Sequence, residues 1–457
     1  MEISRRALLK ATAVGAAALA VPFPLGAARP ARAQADIEPD DRVFVCNEDS
    51  NTLSVIDPRS NTVETAINFT SFDEDPRPPF RFVTGGVVPT HAAMINKPLY
   101  HGAIALHGGV MSPDSRLLAL TGRGSSNVYL VDPLAKAVVG NRPNPQAGPT
   151  TNAEQLSSGI LVGREPHEPT FTRNGREIWV AVRGENRIAI LDTAAATQAS
   201  AGEPVQAVRQ WVPTLEGPAQ VWFSADGALA FVISQKLPRV DVFLVNPDAT
   251  GYSRPERKVT LDIRAQDPAG FTPFLKLSPD GGELWLSHKL ADAVSALAVA
   301  DPHPVLDTVP LGELARPNHI EFVENARGRA VYVSLARVDD NGPGGVASSQ
   351  IAIIDRDAPP GQRRVVRTFF THGREAHGLW TNPARTLLYV AHEQDELPET
   401  PAAGQTVCTA FDVSDPFNPV FLAQIPLGAL ALPSGELRNK KSINLVYVRP
   451  GAPSATA

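Results

Sequence analysis

Cysteine is nearly absent: Cys46 and Cys408 are the only two in 457 residues. Two residues so far apart cannot build a Cys-rich zinc or copper motif, and no Cys-x-x-Cys-His run exists for covalent haem. The thiols either form one disulfide in an oxidising compartment or sit buried as spectators. Aromatic residues are 6% and charged residues 20% of the chain. There is no Gly-x-Ser-x-Gly elbow and no phosphate loop; Gly122-Arg123-Gly124 reads as a turn. Past the N-terminus no apolar run is long enough to span a bilayer, so no membrane span is expected in the mature chain. A basic tract is also missing. The net charge is −6, and it falls to −10 without the five cations and one acid of residues 1–33, which excludes nucleic acid as a natural partner.

Turn formers are abundant, with 42 Pro and 34 Gly, which suits many short strands and argues against a helical protein. Residues 1–33 read as a targeting signal. Ser4-Arg5-Arg6-Ala7-Leu8-Leu9-Lys10 resembles the twin-arginine export motif, a weakly apolar stretch follows, and Ala31-Arg32-Ala33 offers a cleavage site before Gln34. The resemblance implies a periplasmic location and export of a folded protein.

An internal repeat organises the rest. Period-two strands ending in Asp recur at NTLSVIDP (51–58), SNVYLVDP (126–133), NRIAILDT (186–193), RVDVFLVNP (239–247), SQIAIID (349–355) and VCTAFDV (407–413), with DAVSALAVADP (292–302) a looser copy. An apolar strand precedes each, such as VFVCN (43–47), IWVAV (178–182) and LYVAH (388–392), and a fourth follows, such as TVETAIN (62–68) or KAVVG (136–140). SPDS, TRNG, SADG and SPDG mark the first hairpin of four copies. Four-stranded units in series predict an all-β, seven-bladed β-propeller, a single domain over 40–451. Ser442–Val448 looks like a first strand without partners, and Arg42–Asn68 like strands two to four without a first. Joining them completes one blade and closes the ring.

VFVCNEDSNTLSVIDPRSNTVETAI, REPHEPTFTRNGREIWVAVRGENRIAILD and AHGLWTNPARTLLYVAHE resemble the YVTN-type propeller repeat across nearly all of the mature chain. That resemblance speaks for fold; such propellers include binding proteins, lactonases, amine dehydrogenase subunits and metalloenzymes.

The candidate chemistry lies in histidine. His107, His167, His319 and His377 take one phase of the repeat, where the other copies carry Ala219, Pro273 and Asn444. Ten histidines in 457 residues would place about 0.15 at seven positions by chance. Inheritance of a Pro-His repeat signature is the competing explanation. In a propeller this phase lies at one rim of the central channel, so the four should converge from blades two, three, six and seven. Imidazole suits copper, zinc and iron. Glu165 and Glu375, in the repeated Gly-Arg-Glu-x-His pattern, would orient a ligating imidazole, and Arg164 and Arg374 would hold an anionic substrate. A solvated rim with surface ion pairs is the alternative. His91 and His101 lie in the long 69–103 connection, and are further metal ligands if it folds inward. His288, His392, His303 and His372 are not expected to ligate.

The arc resembles the propeller centres of nitrous oxide reductase and thiocyanate dehydrogenase, which implies copper at His107, His167, His319 and His377. This chain lacks the separate cupredoxin domain with its Cys-rich copper motif, so nitrous oxide reduction is not expected. The leading expectation is a copper oxidoreductase acting on a small, anionic substrate, with a periplasmic electron-transfer or envelope protein as partner. The alternatives are a non-catalytic propeller that binds a protein or envelope partner, and a lactonase-like hydrolase using calcium, for which Glu168, Glu321 and Asn444 are available although strand alternation points Glu168 and Glu321 away from the channel.

Overall fold

The structure is a computed structural model that describes residues 36–69, 104–140, 142–143, 155–156, 159–432 and 435–452. The export signal, His91 and His101 lie outside the described residues. Seven antiparallel sheets follow one another around a ring, each with its first strand innermost. Blade one is composite: Ser442–Val448 pairs with Arg42–Asn47, followed outward by Thr52–Asp57 and Thr62–Asn68. The predicted closure is therefore present, with Val43 opposite Tyr447 and Val45 opposite Leu445. Blades three to seven begin with Pro166–Phe171, Pro218–Phe223, Phe274–Leu277, Pro317–Asn325 and Arg374–Thr381.

Local chemistry explains the turns. In the first hairpins Ser112, Ser224 and Ser278 donate to Asp114, Asp226 and Asp280 two residues on, at 2.6, 2.5 and 2.6 Å. Where a third strand ends in Asp, that Asp accepts from the turn beyond it, as Asp57 does from Arg59 N at 2.8 Å and Asp132 from Leu134 N at 2.9 Å. Asp192 instead caps a helix, Thr193–Ser200, by accepting from Ala195 N. The Ala-rich TAAATQAS run has good helix formers where other blades turn.

Blade two departs from the expected pattern. KAVVG supplies only Ala137–Val138 to the outer edge, and Ile160–Leu161 fills the other end of that position. Among the described residues no helix is long and apolar enough to cross a membrane. Cys46 and Cys408 are both buried free thiols within one hydrophobic cluster, so the spectator alternative holds in the structure.

A candidate metal centre at the channel mouth

Six of the seven inner strands, all but that of blade five, begin at or just after a kink. Ala105, Glu165, Gly217, Arg316, Glu375 and Lys441 take left-handed φ values between 51° and 62°. Five of the six are not glycine, a strained choice that recurs at functional sites. Two residues later a β-bulge begins, because pairing skips from Leu106 to Gly109, Pro166 to Pro169, Pro317 to Ile320 and Ala376 to Leu379. Two residues then face one partner, and both approach the axis.

This register refines the histidine phase. His107, His167 and His377 each open their bulge, but in blade six that place belongs to Asn318, and His319 is one residue further on. Asn444 is likewise one residue late, behind Ile443. Counting from conserved-looking turns could not see a hairpin in blade six that is closed by Asn325 opposite Gly328. The bulge also overturns the alternation argument for Glu168, which joins His107 and His167 as a group whose ligand atoms all lie within 4.8 Å of one another. Glu321 is not part of it; its carboxylate takes Lys276 Nζ at 2.8 Å.

Hydroxyls staple these bulges between blades. Thr121 accepts from Gly108 N at 2.9 Å and donates to the His167 carbonyl at 2.7 Å. Ser334 does the same for His319 N and the His377 carbonyl, at 2.9 and 2.6 Å. Gly108 leaves room for Glu168: a Cβ there would fall 2.4 Å from its Oε2 and 2.4 Å from the His167 carbonyl oxygen.

The four histidines form two facing pairs. His107 Nε2 and His167 Nε2 are 3.2 Å apart, and the His319 and His377 rings are centred 4.8 Å apart, with Phe274 stacked on His319 at 4.0 Å. Burial pushes His107 down to about 3, helped by the Arg123 charge, and holds His167, His319 and His377 well below the usual imidazole range. Neutral imidazoles are the form that binds metal. The Nδ1 atoms of His167 and His319 are buried without a hydrogen-bond partner among the described residues. Burial also pushes the Glu168 carboxyl well above its ordinary range, and Asn444 Nδ2 stands 3.4 Å from its Oε2.

The orienting groups are not those expected. Glu165 pairs with Arg183 at 2.8 Å, and Glu375 accepts from Gln394 at 2.9 Å. Both residues carry the left-handed kink, so the Gly-Arg-Glu-x-His pattern is a turn signature. Arg164 faces outward beside Gly184 and Glu185, and Arg374 binds the Asp395 carbonyl at 2.7 Å, so neither reaches the histidines. Their places are taken by residues at the ends of the second strands: Glu48, Arg123, Arg183, Gln235 and Lys289 directly follow theirs, and Glu393 is the next-to-last residue of Leu387–Gln394. Glu48 Oε1 lies 3.3 Å from His107 Nδ1 and 3.0 Å from Arg123 Nη1, while Lys441 Nζ is 2.6 Å from Oε2. Burial alone would raise the Glu48 pKa, but Arg123, Lys441 and His107 hold it well below the carboxylate range. Glu393 approaches His377 Nε2 at 3.6 Å and is pushed up to about 7 by burial and then by Glu375. A repeat signal marks all of them: VFVCN-E, LALTG-R, IWVAV-R, LAFVIS-Q, LWLSH-K and LYVAH-E.

The hydrogen-bond network constrains the protons around the first pair. His107 Nδ1 stands between Glu48 Oε1 at 3.3 Å, which can only accept, and Arg123 Nη1 at 3.4 Å, which can only donate. Arg183 donates to Gln235 Oε1 at 2.6 Å, which turns the Gln235 amide nitrogen onto His167 Nε2 at 3.1 Å. That nitrogen is then bare. Its neighbour His107 Nε2, 3.2 Å away, meets it through its own proton when no metal is bound, or through a shared cation. Two nitrogens each about 2.0–2.1 Å from a tetrahedral metal sit at nearly this separation. The residues fit a metal.

His288 and His392 are satisfied structural residues: His288 contacts Thr272 Oγ1 at 3.0 Å and Ser295 Oγ at 2.7 Å, and His392 contacts Thr371 Oγ1 at 3.0 Å. Further along the inner strands lies a second buried cluster. Lys276 pairs with Glu321 and points its ammonium at the Trp380 ring, 4.3 Å from the centroid, with Trp222 at 6.0 Å on the other side. All four are buried.

No family model matches the chain, and no curated relative matches it. Solved structures do. A protein from Lactobacillus plantarum aligns with a TM-score of 0.59 at 11% identity, over 90% of this chain and 99% of its own. A functionally unknown protein from Desulfotomaculum acetoxidans gives 0.56 at 10% identity, over 90% and 99%. The periplasmic gluconolactonase of Pseudomonas aeruginosa gives 0.54 at 16% identity, over 90% and 99%. These likenesses are of fold. The chain is a seven-bladed β-propeller.

Proposed function

We propose that this chain is an exported, periplasmic propeller of the YVTN type that holds a transition metal, copper, between His107 and His167, and acts as an oxidoreductase on a small substrate. One arrangement carries the reading: His107, His167 and Glu168 are buried together with ligand atoms within 4.8 Å of one another, and the two Nε2 atoms are 3.2 Å apart. Glu168 supplies a third donor on the same side. Copper heads the affinity order for a nitrogen and oxygen donor set. When bound, it would supply redox chemistry and polarise a ligand. The chain's own groups do the rest. Glu48 and Arg123 flank His107 Nδ1 and set the ring's orientation, the Thr121 staple holds the His167 backbone, and Gln235 covers the His167 lone pair until metal replaces it. His319 and His377 face the pair across the mouth and define the far wall of the substrate space, backed by Phe274.

A hydrolytic reading, lactonase-like and calcium-dependent, has one observation in favour: Glu168 and Asn444 bring a carboxylate and an amide together at the same mouth. Untagged protein from an oxidising compartment separates the readings by metal analysis. The copper reading expects stoichiometric copper, lost in His107→Ala and His167→Ala. A folded wild type that takes up no copper on reconstitution rejects it. Lactone cleavage restored by calcium would establish the hydrolase instead, and a metal-free chain that pulls down an envelope protein would leave a binding module.

A further inference from the structure

The cations of the mouth differ in how their charge is met. Arg123 and Lys441 both contact Glu48, at 3.0 and 2.6 Å, and Arg183 contacts Glu165 at 2.8 Å. Lys289 is different. Among the described residues no carboxylate lies within ion-pair distance of it, and its ammonium makes one hydrogen bond, to Asn318 Oδ1 at 2.6 Å. Asn318 is fixed in that orientation because its Nδ2 donates to the Ala376 carbonyl at 3.0 Å. An ammonium has three N–H groups, so two remain for another acceptor.

The position is central. Lys289 follows the second strand of blade five, between the His107–His167 pair and the His319–His377 pair around the ring. Its charge reaches both His319 and His377. Burial pulls its own ammonium below the usual lysine range; the charges of Glu393 and Glu375 offset that only in part, and among the described residues neither carboxylate makes a direct ion pair with it. A half-buried charge in that state favours an anion from outside. The other cations are committed to Glu48 and Glu165, so the site has one positive charge to offer and matches a monoanion rather than a dianion.

We propose that Lys289 is the substrate-anchoring residue of this mouth, and that the site takes a small carboxylate monoanion whose charge sits on Lys289 while its other end reaches toward His107 and His167. This names the substrate class of the metal site proposed above and rests on that reading for the chemistry, but not for the binding. The carboxylate would fill the two free N–H positions beside Asn318. Arg164 and Arg374, which face elsewhere, would have no part in it.

Calorimetric titration of the purified chain with sodium formate tests the proposal, with sodium chloride as the ionic-strength control. Wild type should bind formate saturably. Lys289→Gln should weaken binding at least tenfold and Lys289→Arg should keep it within about threefold. Asn318→Asp, nearly isosteric, supplies an internal counterion and should abolish formate binding with Lys289 intact. Copper content should be unchanged in all three. The double variant His107→Ala/His167→Ala should lose copper yet keep formate binding, so a failure of the metal reading shows up separately. No saturable formate binding in wild type, or undiminished binding in either Lys289→Gln or Asn318→Asp, overturns the proposal.

Discussion

Closure of the ring by its last strand makes a quantitative demand on stability. Ser442–Val448 is buried along its whole length, and Ile443, Leu445, Val446 and Val448 are each at most 4% exposed. Burying four aliphatic side chains contributes about 6–12 kcal/mol, as much as the entire net stability of many domains. A clamp reinforces the join: Asp41, fully buried, accepts from Tyr447 Oη at 2.7 Å and from Arg449 Nη2 at 2.7 Å. Leu445→Ala, opposite Val45 in the core, should cost about 2–5 kcal/mol. Val366→Ala, on an outer strand and 47% exposed, should cost under about 0.5 kcal/mol. Urea unfolding followed by tryptophan fluorescence reads both, because Trp380 lies in the same hydrophobic cluster as Leu445. The reasoning fails if Leu445→Ala loses less than about 1 kcal/mol, or if a chain ending at Arg438 unfolds with the wild-type midpoint and slope.

Other outcomes follow from particular contacts. Burial pushes the Glu396 carboxyl up to about 7, so the folded state favours its neutral form. Its contribution is complete below the unfolded pKa near 4.5 and is lost as pH rises through 7, a decline of up to about 3 kcal/mol that Glu396→Gln should flatten in denaturation curves between pH 4.5 and 7.5. Gly108→Ala should displace Glu168 and the His167 carbonyl, lowering copper affinity at least tenfold in competition dialysis while circular dichroism stays native. Arg356, 2% exposed, joins Asp280, Glu283 and Glu324; in Arg356→Met, Asp280 keeps Arg329 and Glu283 keeps Arg363 while Glu324 loses its cation, which should cost about 1–3 kcal/mol in chemical denaturation.

The blades were readable because the period-two strands and their Asp and Gly turns recur, and each such signal is local. The kinks were not. Glu165, Glu375, Arg316 and Lys441 adopt a conformation that their residue types disfavour, so nothing in the letters announces the bulge that follows. Without the bulge, strand alternation sends Glu168 the wrong way and places His319 in the wrong register. Gly-Arg-Glu-x-His looked like a ligand with its carboxylate partner because Glu165 is near His167 in sequence; Glu48 is the carboxylate at His107 because two blades adjoin in space. That partner was nevertheless within reach, since the residue at the end of each second strand forms its own column of the repeat.

The Lys276–Glu321 pair between Trp222 and Trp380 lies deeper along the inner strands than the histidines. A ligand that settles against the histidines therefore has a charge-neutral floor of one ion pair and two indoles beneath it, and the selectivity of the mouth for charge must come from its rim.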